Sequence, residues 1–526
     1  MSIDGLVSGL DTTTIINQLM QVERQPQVIM KSRQDAMKAQ LDAYASVGSK
    51  LEAVTSAATA LQRSGGWALR TATSTNPSVA TASVRDGASP GSLSFTVDQL
   101  ASGHGLAAAT DVAAVTDVVA SGGSLTLTVG GTPHPVAVGG GTLTEVVDAV
   151  NAAGLGVRAA TVNTGTGFRL QLMSTGTGTA SAFTLDGLDP GLGGTVVTST
   201  GVDARIVVGA GVGAYAVTSS SNSFVDLMPG VTVSVTAVSP SPVVVSVTAD
   251  ASALADKVQS LTDAVNGALT EISTRTAYDS RTNRSATLTG DATVRRLKQD
   301  LVRAVVDPVG SGSGSGATVG LSVDRYGKVT FDKAAFAAAF AADPAAVQAM
   351  FAQTGTSSAG VAFVGAGDRT RPGSYVVAVQ TAPGPGVDVV GTVDGQAAVG
   401  KGNLLSVPAD SGGPAAGLVL RIDGLGDGGS GTITYEPGIA QRLASVIAGA
   451  TDSATGYLTS SKTAKQTSVD DLQRSIDSFE QRMTLRQAAL KKEYAALEVA
   501  LGNLRSQSDW LSGQLGQLSA NWGSNK

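Results

Sequence analysis

Cysteine is missing from all 526 residues, so neither a disulfide nor a thiolate metal site can form. Histidine is nearly missing. His104 lies in a Gly-His-Gly stretch and His134 between two prolines. Neither has a sequence partner at metal-site or triad spacing, and both are expected in surface loops. Charged residues make up 15% of the chain and aromatics 4%, against about 25% charged in an average soluble protein. Cores must therefore be built from Val, Leu and Ala. A net charge of −6 with no large Lys/Arg block argues against nucleic acid, because phosphate binding needs clustered cations. No run of about 18 apolar residues is available to span a membrane. The opening MSIDGLVSGLDTTTIINQL has neither the basic region nor the apolar run of a secretory signal. The expectation is no membrane insertion and either a cytosolic location or an export route needing no cleaved signal.

What remains is rich in glycine, 65 residues, with abundant Thr, Ser, Val and Ala. That is the makeup of β-rich domains with many tight turns, and the length suits about three or four domains. Helical periodicity is confined mostly to the two ends. Asp11 is an N-cap candidate for a helix carrying Ile15, Ile16, Leu19 and Met20, interrupted at Pro26. A second helix is predicted over about 27–63. Its stripe is Met30, Met37, Leu41, Tyr44, Val47, Leu51, Val54, Ala58 and Leu61, with Gly65 and Gly66 ending it.

The C-terminal helix has the strongest period. Steps of seven from Val469 meet Ile476, Met483, Leu490, Leu497, Leu504, Leu511 and Leu518, all apolar. The second seam position begins as Leu472 and Phe479 and drifts to Leu501, Leu515 and Trp522, which relaxes left-handed supercoiling. Two readings stand: a helical hairpin between the chain's own ends, or stripes that also pack against other chains. Arg486 and Glu493 interrupt the apolar seam, as register-setting positions do; an adjustable contact is the alternative.

Between the ends strands dominate. Pro90-Gly91-Ser92 and Pro372-Gly373-Ser374 each open an alternating run, and the match suggests that both belong to one discontinuous domain. The expected fold is α+β and multidomain: terminal helices 1–66 and 458–526 forming a coiled-coil leg, a mixed α/β middle domain of 67–110 plus 272–457, and an inserted β-rich head, 111–271, of two subdomains. Thr142 and Glu145 read as a capping box, and Asp291, Asp332 and Asp343 as further caps. The glycine-rich stretches 139–141 and 209–213 are expected to be mobile and tolerant of substitution.

No catalytic set emerges. Residues 395–401, GQAAVGK, imitate a phosphate-binding loop, but Gly402 follows where a Ser or Thr hydroxyl would hold Mg²⁺. The NLLSVP that comes next is strand-like, with no helix N-terminus for phosphate. GAGVG at 209–213 reads as a hairpin loop, and Asp470-Asp471 as a solvated helix face.

Several segments in chain order resemble the bacterial flagellar filament cap family (hook-associated protein 2, FliD). The opening GLVSGLDTTTIINQLMQVERQP carries its N-terminal signature at Gly5, Leu6, Ser8, Gly9, Leu10, Asp11, Leu19, Glu23 and Pro26. Similar segments are 143–178, 201–237, GDATVRRL at 290–297, VGLSVDRYGKVTFD within 319–351, and the C-terminal heptads. The resemblance implies a non-enzymatic protein without cofactors, forming a homo-oligomeric cap such as a pentamer at the distal end of the flagellum. Its implied partners are flagellin, hook–filament junction proteins and an export chaperone at the C-terminal helix. Export would follow the flagellar type III route. A different axial protein, junction or flagellin-like, and a β-rich surface adhesin are the alternatives.

Purified protein is expected to hydrolyse no ATP. Turnover that disappears on Lys401→Ala would overturn that expectation.

Overall fold

The computed structural model describes residues 11–85, 87–310 and 314–523, with every side chain in them except those of Ser64 and 517–523. Nine helices are described: α1 Thr12–Glu23, α2 Gln25–Gln62, α3 Leu143–Ala153, α4 Ala251–Thr276, α5 Ala292–Val306, α6 Lys333–Ala342, α7 Pro344–Phe351, α8 Ile439–Thr451 and α9 Tyr457–Gly523. The fold is α+β and multidomain, as its periodicity implies. The chain divides into two compact units, Met1–Ser64 with Ala255–Lys526, and Gly65–Leu254.

The Gly65–Leu254 unit holds two cores. In one, a five-stranded sheet ordered 70–74, 239–249, 91–99, 204–208, 215–219 and a three-stranded sheet of 223–228, 231–235 and 80–84 bury Phe95, Val97, Ile206, Phe224, Val233 and Val245. In the other, two further sheets and α3 enclose Leu125, Leu127, Leu143, Val146, Leu172 and Phe183. The capping box at α3 is present: Thr142 accepts from Glu145 N while the Glu145 carboxylate accepts from Thr142 N. Hydrogen bonds from Thr142 hold the Glu145 carboxyl below the usual range.

The discontinuous middle domain is corrected. Strand 91–99 lies between 239–249 and 204–208, with Phe95 opposite both Val243 and Val208. Strand 373–381 lies in the other unit, between 430–437 and 390–393. A Pro-Gly-Ser start and alternation specify a strand and its buried face; they carry no information on which strand it pairs with. Residues 70–108 thus build the same unit as the segment expected to form the head.

In the other unit, eight strands run in the order 353–357, 430–437, 373–381, 390–393, 396–401, 404–406, 419–422, 361–365. The sheet nearly closes on itself, since Phe363 of the last strand stacks on Tyr435 of the second at 5.8 Å. The phosphate-loop imitation resolves into this sheet. Asp394 and Gly395 have φ of 52° and 77° and join the pair Val393↔Gln396, a two-residue hairpin of the kind that requires positive φ at both positions. Residues 396–401 are therefore a strand. The 209–213 stretch likewise joins an antiparallel pair, Val208 opposite Tyr215.

Neither histidine occupies a surface loop. His104 is buried, its Nδ1 accepting from Gly201 N at 3.4 Å and its ring meeting Phe183 edge-on. His134 sits within strand 132–137 opposite Leu127. That strand lies at a sheet edge, where its prolines leave no central ladder bond unmade.

The expected tolerance of 139–141 fails at one position. Gly141 has φ of 72°, and a Cβ there would lie 2.0 Å from the Ala120 carbonyl oxygen. Gly211 has φ of 67° but open space around it. Gly211→Ala should cost about 1–2 kcal/mol, the left-handed penalty alone, and Gly141→Ala distinctly more. Calorimetry of the full chain showing equal shifts in the melting of the Gly65–Leu254 unit would contradict this.

Candidate functional site

The terminal helices are built locally before they meet. Asp11 caps α1 by accepting from Thr14 N at 2.9 Å. A single residue, Arg24, separates α1 from α2, and Pro26 stands in the first turn of α2, where its missing N–H costs nothing. At the other end, Asp452 turns the chain from α8 toward α9. Its carboxylate accepts from Thr455 and Ala454 N and pairs with Arg369, and these contacts, Thr455 N–H first, pull its carboxyl far below the usual range. The Tyr457 hydroxyl at the start of α9 is pushed up to about 12 by burial, with the Arg296 guanidinium 5.0 Å over its ring.

α2 and α9 pair antiparallel. Gln27 Nε2 donates to Glu480 Oε1 at 2.5 Å, and Gln34 Nε2 to Gln473 Oε1 at 2.8 Å and to the Val469 carbonyl at 3.4 Å. Seven residues on in one helix thus meet seven residues back in the other. Lys31 and Glu480 form an ion pair at 3.2 Å, and Arg486 reaches Glu23 of α1 at 3.3 Å. Val469 and Ile476 are buried in this pair. Met30, Met37, Leu41, Leu472, Phe479 and Met483 are half-buried. Ile16 and Met20 of α1 close on Leu490, flanked by Met483 and Tyr494.

Four residues expected in the leg seam lie on the inner part of α2, which packs against two helices. Tyr44, Leu51, Val54 and Leu61 are buried, on a helix that packs against α8 as well as α9. The Tyr44 hydroxyl donates to the Asp291 carboxylate that caps α5, and Ser46 to Glu271 of α4 at 2.6 Å. Burial first, then Asp291, pushes the Tyr44 hydroxyl upward. One apolar stripe on α2 thus serves two surroundings in succession, which a period alone does not reveal.

Beyond Leu490 the α9 stripe is open. Leu497 is 46% exposed, Leu504 60%, Leu511 53% and Leu515 64%. For Leu518 only the backbone is described. Of the N-terminal motif, Asp11 caps, Glu23 is bonded to Arg486, and Leu19 and Pro26 are exposed. Gly5, Leu6, Ser8, Gly9 and Leu10 lie outside the described residues. The buried glutamines were missed by the sequence reading, although the spacing of seven between Gln27 and Gln34, and between Gln473 and Glu480, is visible in it.

The profile described as flagellar hook-associated protein 2 C-terminus matches residues 201–506, and the one described as its N-terminus matches 8–104. The chain belongs to the flagellar hook-associated protein 2 family. Among solved structures it is similar to the D1-D2-D3 domains of the flagellar cap protein FliD from Escherichia coli, 26% identical over 59% of this chain and 90% of that one, with a TM-score of 0.46. It is also similar to FliD (HAP2) from Pseudomonas aeruginosa PAO1, 24% identical over 36% and 93%, TM-score 0.31. The D2-D3 domains of FliD from Serratia marcescens are 24% identical over 31% and 96%, TM-score 0.28. No curated protein matches the chain. The hook-associated protein 2 profiles take in Asp11, Glu23 and the seam up to Leu504, and stop short of Leu511 and Leu515.

The part-buried Gln34–Gln473 rung should be worth more than the exposed ion pair. A double-mutant cycle of Gln34→Ala with Gln473→Ala should give a coupling of about 1 kcal/mol. Lys31→Ala should change stability by under about 0.5 kcal/mol, since both partners are more than half exposed and such pairs contribute little. Urea denaturation giving the reverse order would refute this ranking.

Proposed function

We propose that this hook-associated protein 2 chain is a structural cap at the distal tip of the bacterial flagellar filament, without enzymatic activity. In this reading it forms a ring-like homo-oligomer that promotes folding and insertion of exported flagellin and prevents its loss, so that filaments elongate and the cell swims. In this reading it leaves the cell by the flagellar type III route. Flagellin, hook–filament junction proteins and an export chaperone on the C-terminal helix are its partners, and the paired terminal helices act as a coiled-coil leg.

Family membership supports this reading, and the observation that carries it is the open stripe of α9. Four leucines at half exposure or near it, on one helix of 67 residues, are a standing cost in water, each forgoing part of the roughly 1.5–3 kcal/mol that burial returns. Such a stripe fits contacts made only in assembly. The described residues also include no group of three or more His, Asp or Glu placed to hold a metal, and no helix long and apolar enough to cross a membrane.

Exposure sets the test. Leu504→Asp with Leu511→Asp places two carboxylates on surface that is already wet in the single chain, so the melting of the purified variant should barely move. In the assembly the same carboxylates would be buried unpaired, at a cost of several kcal/mol. Cells carrying the variant should therefore shed unpolymerised flagellin and lose motility. Full capping and normal filaments in those cells would sink the proposal.

A further inference from the structure

Eight methionines carry all the sulfur of this cysteine-free chain, so no thiol competes with their thioethers for an oxidant. Four of them lie in the three helices that meet at the chain's ends: Met20 in α1, Met30 and Met37 in α2, and Met483 in α9. Met20 is 3% exposed, whereas Met30, Met37 and Met483 are half-buried. Met483 packs against the cluster of Ile16, Met20 and Leu490. Met30 lines a concavity of about 550 Å³ together with Pro26, Phe479 and Arg482. That space is open to a small oxidant.

The other described methionines stand in different surroundings. Met173 is 48% exposed, so an oxygen added there meets water, and Met350 of α7 is 8% exposed. Met228 is half-buried against the sheet core of the Gly65–Leu254 unit. On α2, Gln34 comes four residues after Met30 and three before Met37, which puts all three on one face. The Gln34 amide donates to Gln473 Oε1 at 2.8 Å and so marks the register of the pair. A sulfoxide oxygen on either methionine is a strong acceptor within one turn of that amide. It competes with Gln473 for the donor, and where it finds none it leaves a polar group in the seam unsatisfied.

We propose that Met30, Met37 and Met483 form an oxidation site in the terminal helix pair, each taking one oxygen atom from hydrogen peroxide. The sulfur lone pair attacks one peroxide oxygen. An S–O bond forms and the O–O bond breaks, so sulfur gives up two electrons and the peroxide is reduced. The departing hydroxide takes the proton from the sulfur-bound oxygen and leaves as water. The sulfoxides loosen α9 from α2 and α1, while the sheets of the chain keep their pairing. Methionine sulfoxide reductases return the thioethers, which makes the change reversible. This inference goes beyond the capping reading and does not need it, since its test uses the purified chain alone.

The test treats the full-length protein with hydrogen peroxide, locating each sulfoxide by peptide mass spectrometry and following the helices by amide hydrogen exchange. Met30, Met37 and Met483 should oxidise at least about fivefold faster than Met20 and Met350, in line with their exposure. Exchange across 469–490 should then accelerate at least about tenfold, a local opening, while strand 430–437 keeps its rate. Met30→Leu, Met37→Leu and Met483→Leu together, a swap that nearly conserves volume, should keep exchange slow under the same dose. Met173→Leu with Met228→Leu should give no such protection. If the triple variant exchanges fast before any peroxide is added, reductase treatment of the oxidised wild type decides instead, and slow exchange should return. The proposal is overturned if the three sites oxidise no faster than Met350, or if their sulfoxides leave exchange across 469–490 unchanged. A triple variant that peroxide loosens as much as the wild type overturns it too, as does exchange that stays fast after the reductase has removed the sulfoxides.

Discussion

The pairing of α2 with α9 is the contact on which the ends of the chain depend. An isolated helix is marginal in water, and both helices carry more apolar side chains than solvent tolerates comfortably. Their shared seam is nevertheless not simply apolar. Gln27 and Gln34 are 7% and 5% exposed, and each must find a partner or forfeit about 1–3 kcal/mol for an unsatisfied buried group. Glu480 and Gln473 supply those partners only in one register. A shift by three or four residues along α9 would bring other side chains against both amides. Polar rungs thus exchange some stability for a unique alignment.

That alignment reaches into the globular part through α2 itself. Met30 and Met37 are half-buried, whereas Val47, Leu51, Val54, Ala58 and Leu61 are fully buried. The change occurs near Tyr44, where the hydroxyl bond to the cap of α5 fixes the rotation of α2 about its axis. Turning α2 to improve the outer seam would pull Tyr44 from Asp291 and Ser46 from Glu271. The outer pair therefore inherits its orientation from the core, and the free length of α9 beyond Leu490 inherits it in turn.

Most of this was legible in the sequence where the signal is local. The two terminal helices, the caps at Asp11, Thr142, Asp291, Asp332 and Asp343, and the hairpin at 209–213 follow from side-chain period and short-range hydrogen bonding, which neighbouring residues decide. Strand partnership was not legible. The strands beginning at Gly91 and Gly373 look alike because both need an alternating face, and their partners lie at unrelated distances along the chain. His104 was misread for a related reason. Flanking glycines suggest a loop, but burial is set by Phe183 and Gly201, about eighty and a hundred residues away. At the candidate site, the stripe identified the right helices but not the division of α2 between seam and core, because both environments demand the same period.

Sequence separation also orders the assembly of these parts. The Gln34–Gln473 bond joins residues 439 apart, and closing so long a loop is opposed by chain entropy until something nearer has already formed. The Gly65–Leu254 unit supplies that intermediate closure. Its strands 70–74 and 239–249 pair along five residues, which brings the segment after α2 beside the segment before α4. With that unit folded, the effective loop between α2 and the remaining helices shrinks by nearly two hundred residues. Absence of cysteine removes any oxidation step from the sequence. The helix pair is thus the last contact that chain entropy favours. It is also the one whose outer end, from Leu497 to Leu515 on α9, stays exposed in the single chain.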